Sequence, residues 1–198
     1  MRGTKRTFAL PDLVMLGVYN AALLLGYYGV IIVLHFFPVL WGAMDPAINF
    51  ALAPIYLLML ARVPKNGVMT LHGAIIGLAH LATGWWPGLI AGLAAGVSAD
   101  GIARIMGGYG RKAAAPTGIL VFATIKAMIF YCPLYLFSYF PVFSDVLSMW
   151  PREFIEEYTV FYAVGFLGVN GIACAAGLYW GRRILRKNFE NFTVCPEK

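Results

Sequence analysis

The sequence predicts an all-α, polytopic membrane protein with six transmembrane helices and both termini on the cytoplasmic side. The first observation behind this is composition. Apolar residues make up 61% of the chain, charged residues only 12%, and mean hydropathy is +0.75. A soluble domain carries about 25% charged residues and needs a wetted surface, so lipid is the solvent that fits. The second is segmentation into six apolar stretches, against the roughly 17–25 residues that a spanning helix takes. The third is charge: thirteen of the fifteen cations fall on one side when all six stretches cross.

The stretches run at about Leu13–Phe37, Pro46–Ala61, Val68–Leu81, Trp86–Ile105, Ala113–Phe140 and Tyr158–Trp180. The second and third are short enough to suggest a re-entrant hairpin instead. That alternative leaves Arg62 and Lys65 near mid-membrane, where a cation costs about 2.5 kcal/mol or more. With six crossings, Arg2/Lys5/Arg6, Arg62/Lys65, Arg104/Arg111/Lys112, Arg182/Arg183/Arg186/Lys187 and Lys198 share the side that the positive-inside rule assigns to the cytoplasm. The other side receives Asp45, Asp145, Glu153, Glu156 and Glu157, with Arg152 its one cation. Residues 1–187 then form a single six-helix transmembrane domain, and 188–198 a short cytoplasmic tail. The basic start precedes a long apolar run with no small-residue cleavage site, so it reads as a retained first span.

Local chemistry supports the boundaries. Asp45-Pro46 reads as an N-cap with proline at the first helical position. Pro87 opens the fourth span. Pro151 and the acids after it suit the positive end of the sixth helix dipole. Trp41, Trp85, Trp86 and Trp150 map to the outer interface and Trp180 to the inner one, as an aromatic belt.

Lys126 is the leading candidate for function. It lies about 20 Å from either end of the fifth stretch, too deep for its stem to reach water. A cation there should face the protein interior or a wet cavity. Asp100, the acid considered as its partner, is nearer the inner face and has Arg104 one turn away. Lacking an obvious acid partner, Lys126 is expected to meet an anionic or carboxylate-bearing ligand, with a structural pairing as the alternative. Asn170 lies at similar depth and Asn49 one turn into the second span; each is read as helix glue or ligand contact. Trp85, Trp86 and Tyr131 are candidates for stacking on a flat ligand. Pro133 frees the carbonyl of Ile129 on the same face.

Other chemistry is excluded. Cys132, Cys174 and Cys195 lack metal-ligand spacing, and His35, His72 and His80 are scattered. No metal, cofactor or nucleic-acid partner is expected, because the net charge of +6 is explained by topology. There is no Walker A loop, Gly-x-Ser-x-Gly elbow or His-Glu-x-x-His motif, so the chain is read as a non-enzyme. Small residues recur at packing spacing: Gly17 with Ala21, Ala22 with Gly26, Gly73 with Gly77, Gly92 with Gly96, and Ala173, Gly177 and Gly181.

Three segments carry a family resemblance. They are Ala61-Arg62-Val63-Pro64-Lys65-Asn66-Gly67, the Gly-rich span Trp86–Arg104 ending in Gly107-Gly108-Tyr109, and the basic exit from Gly181 to Glu190. The chain resembles the substrate-binding S components of energy-coupling factor (ECF) transporters, bacterial vitamin and micronutrient importers, and most closely the Trep_Strep group. The resemblance implies a multi-pass protein of the prokaryotic cell membrane that captures a small molecule near the outer face. It implies as partners a transmembrane coupling subunit and two ATPases. Gly17 and Ala21 match the place of the family's Ala-x-x-x-Ala coupling motif, with glycine replacing the first alanine. Ala22 and Gly26 extend that face. The loop Phe37–Asp45 and the outer ends of spans four to six would form the pocket and lid, and Lys126 lies deeper than such a pocket. Two readings from other classes stand beside this one: a membrane-embedded lipid- or prenyl-modifying enzyme, and a self-assembling channel or scaffold.

Overall fold

A computed structural model describes residues 8–37, 43–84, 86–137 and 152–188, giving the backbone path alone for 130–137, 152–163 and 188. The described residues contain six helices and no strand: α1 (Leu10–His35), α2 (Met44–Arg62), α3 (Val68–Ala82), α4 (Pro87–Ile105), α5 (Ala114–Phe137) and α6 (Arg152–Asn188). Four stretches are long and apolar enough to cross a membrane: α1, α2, α4 and Val164–Lys187 within α6. The apolar stretches Val68–Ala82 and Ala114–Ile129 are shorter. Most boundaries fall within three residues of those read from sequence. α6 runs beyond its expected span at both ends, to 37 residues.

The helices form a closed ring in the order α1, α2, α6, α5, α4, α3 and back to α1, with α2 touching α5 across the middle. Residue pairings give the directions. His72 and His80 of α3 bond Asn20 and Tyr27 of α1, so those two helices are parallel. Tyr56 of α2 bonds the same His72 while Asp45 meets Lys126 of α5, so α2 opposes both α3 and α5. Gly73 lies against Gly92, and Gly96 against Met69, which makes α3 and α4 antiparallel. The connections α2–α3 and α4–α5 therefore lie at one end of the bundle. Lys65 pairs there with Asp12 of α1, and Arg182 of α6 donates to the Lys112 carbonyl at 3.0 Å. The cation clusters of the described residues, Arg62/Lys65, Arg104/Arg111/Lys112 and Arg182/Arg183/Arg186/Lys187, meet at this basic end. The first turn of α2 and the last turns of α1 and α3 lie at the far end.

Glycines decide the tightest contacts. A Cβ on Gly73 would sit 2.0 Å from the Gly92 carbonyl oxygen, and one on Gly96 2.4 Å from that of Met69. α3 and α4 thus pack backbone to backbone, as the spacing predicted. Gly177 and Gly181 of α6 do the same against α2. Pro54, inside α2, cannot donate to the Phe50 carbonyl. Gly177 closes on that freed oxygen, where its Cβ would lie at 2.5 Å. Pro54 was not singled out from sequence, yet it shapes this seam. In the α4–α5 connection Gly107 and Gly108 take φ of 93° and 90°, and Gly108 N–H reaches back to the Ala103 carbonyl at 2.7 Å.

Asp100 corrects an expectation. It pairs with neither Arg104 nor Lys126. Its carboxylate accepts from the Met69 and Thr70 backbone N–H at 3.3 and 2.8 Å, the Thr70 hydroxyl at 2.6 Å and the Tyr109 hydroxyl at 2.8 Å. The start of α3 leaves orphan N–H groups that a carboxylate satisfies well, so Asp100 serves as its cap from the neighbouring helix. Burial, with Asp100 alongside, pushes the Tyr109 hydroxyl far above its usual range and keeps it a donor.

Candidate functional site

Lys126 sits midway along α5 and is 4% exposed. It does have an acid partner, contrary to the sequence expectation: Asp45, in the first turn of α2, accepts from Nζ at 3.1 Å. Asp45 therefore does not cap α2, whose helix begins one residue earlier with Ala43 at the cap. Depth explains the miss. Lys126 stands 12 residues above the start of α5, about 18 Å, and Asp45 lies 17 residues from the basic end of α2, about 26 Å. α2 and α3 are shorter than α5, so the middle of α5 is near the level of their far ends. Measured on α5 alone, Lys126 is deep; measured on α2, it stands beside the first turn.

Two helices complete the surroundings. Lys126 Nζ lies 5.2 Å from the Tyr27 ring centroid, within cation–π range. The Tyr27 hydroxyl is 2.9 Å from His80 Nε2, and His80 Nδ1 is 2.7 Å from the Ile76 carbonyl. A carbonyl only accepts, so Nδ1 carries the proton and Nε2 accepts from Tyr27. Below this, Asn49 Nδ2 donates to Asn170 Oδ1 at 2.8 Å, and Asn170 Nδ2 donates to the Ala123 carbonyl at 3.2 Å. The two asparagines join α2, α6 and α5 one turn from the ion pair. Lys126, Asn49 and Asn170 thus come together as one buried cluster.

A second polar layer lies nearer the basic end. Asn20 Nδ2 donates to the Leu16 carbonyl, which turns its Oδ1 toward His72 Nδ1 at 2.7 Å. His72 Nε2 then accepts from the Tyr56 hydroxyl at 2.9 Å, with Phe122 against the imidazole. The same Tyr–His pairing thus occurs twice, eight residues apart on α3. Sequence reasoning missed Tyr27, Tyr56, His72 and His80 as a network. Two histidines at that spacing share a helix face, and tyrosines inside apolar spans need partners; that was the available signal. The described residues hold no group of three His, Cys, Asp or Glu able to bind a metal.

Of the remaining sequence candidates, Trp86 does not join this cluster. Trp86 stands at the start of α4 and is 56% exposed. Trp85, Trp41 and Trp150 lie outside the described residues, as does the side chain of Tyr131 on α5. The α1 stripe splits in two. Gly17 and Ala21 are exposed, and nothing lies within 4 Å of a Cβ on Gly17. Gly26 faces inward against Leu52 of α2, 2.5 Å from an added Cβ.

One acceptor in the cluster is unmet. Asp45 Oδ2 is buried without a hydrogen-bond partner among the described residues. An unsatisfied atom in a buried ion pair is costly, because both charges have been taken out of water.

A ring of apolar helices around a paired charge and two hydrogen-bonded layers defines a polytopic α-helical membrane protein. Residues 10–191 match the family described as "Hypothetical bacterial integral membrane protein (Trep_Strep)", and the chain belongs to that family. No curated protein and no solved structure matches it.

Proposed function

We propose that this protein is the substrate-capturing S component of an ECF-type importer in the bacterial cell membrane. In this reading the chain crosses six times with both termini in the cytoplasm, catalyses no reaction itself, and delivers a small micronutrient inward. A transmembrane coupling subunit and two ATPases drive the transfer. The observation that carries the reading is the polarity of the bundle. The cation clusters of the described residues meet at one end, and the buried Lys126–Asp45 cluster with its unmet acceptor lies in the other half. Cytoplasmic placement of the basic end follows the positive-inside rule and puts the cluster toward the outside, where a captured molecule enters. The exposed Gly17/Ala21 face of α1 lets a partner helix approach closely, and the sequence resemblance assigns coupling to that face.

The test is co-purification from the native bacterium in mild detergent. An integral membrane coupling protein with two ATPases should accompany the tagged chain, and the isolated chain should bind without turnover. A chain that purifies alone, or as a conducting homo-oligomer, or that converts a lipid substrate, contradicts the proposal.

A further inference from the structure

The unmet oxygen defines what the cluster can hold. Lys126 Nζ donates to Asp45 Oδ1 and to no other atom among the described residues, which leaves it N–H capacity. Asp45 Oδ2 accepts from nothing among the described residues. The surrounding donors bond elsewhere: the Tyr27 hydroxyl to His80, His80 Nδ1 to Ile76, and one N–H of Asn49 Nδ2 to Asn170. No donor among the described residues bonds Oδ2. A visiting anion would share Nζ with Asp45 and be repelled by it. A visiting cation would meet Lys126. The pair is neutral as a unit, and its open positions are an acceptor, Asp45 Oδ2, beside the unused N–H of Lys126.

We infer that Asp45 and Lys126 together read an uncharged group that both donates and accepts, such as a carboxamide, ureido or alcohol edge. The donor of that group meets Asp45 Oδ2 and its acceptor meets Lys126 Nζ. This rests on the capture reading above, and it replaces the anionic ligand expected from sequence: the absence of an acid partner was the reason for that expectation, and Asp45 removes it.

Equilibrium dialysis of the purified, detergent-solubilised chain against a small-molecule extract of its own bacterium tests the inference, with mass spectrometry of what the protein enriches. The expected result is at least tenfold enrichment of an uncharged amide or alcohol. The double variant Asp45→Asn/Lys126→Met, checked for a native elution profile and melting temperature, should lose at least tenfold of it. The class is read on the wild-type chain, so the outcome does not depend on the variant folding. An enriched carboxylate or phosphate overturns the inference and leaves the capture reading standing. Equal enrichment by the folded double variant overturns the assignment to this pair. No enriched species at all overturns both.

Discussion

The α3–α4 seam and the outer face of α1 carry the same sequence motif and meet opposite fates. Gly73, Gly92 and Gly96 bring two backbones so close that an added methyl would collide with a carbonyl. Gly17 meets nothing. Small residues four apart therefore mark a helix that can be approached, and the fold decides whether the approach is made within the chain. On α3 and α4 it is spent on folding. On α1 it is left open, and α1 is the least buried of the four spans.

Substitutions sharpen that difference. Gly73→Leu or Gly96→Leu should have the largest effect. Overpacking a seam typically costs about 1–3 kcal/mol when side chains can yield, and here the obstacle is backbone, so loss of folded, monodisperse protein in detergent is expected. Breaking the buried pair comes next. Lys126→Met alone strands Asp45 and should cost about 3–5 kcal/mol, read as a fall in melting temperature. Adding Asp45→Asn should recover much of that loss. Tyr56→Phe removes the hydroxyl that His72 Nε2 accepts from and should cost about 1–3 kcal/mol. Gly17→Leu should be smallest for the fold, within about 0.5 kcal/mol as for substitutions away from packed features, while abolishing capture of the coupling subunit. A Gly17→Leu protein that unfolds like Gly73→Leu would erase the distinction between the two seams.

The helices were legible because their signal is local. Apolar run length, Pro87 at the start of α4 and glycines four apart placed every helix that the structure describes. The ion pair was not legible, because it joins residues 81 apart in sequence. Lys126 drew attention as a buried cation. Its partner stayed hidden because Asp45 stood beside proline at a helix start and was read as a cap. Depth was misjudged for a related reason: it was measured along one helix, while the length of the neighbours sets where the bundle ends. Asp100 shows the same limit. Its nearest basic neighbour on α4 was Arg104, yet the unsatisfied N–H groups of α3 claimed it. Asn49 and Asn170 were recognised singly as polar residues in apolar spans, and only the packing showed that they bond each other.

The measurement that tests the central claim most directly is a paired co-purification of wild type and Gly17→Leu from the native bacterium, with melting temperatures taken on both. Wild type is expected to bring down an integral membrane coupling protein and two ATPases, and Gly17→Leu to lose all three at an unchanged melting temperature. A wild-type chain that purifies without them, or a Gly17→Leu chain that keeps them, would contradict the claim.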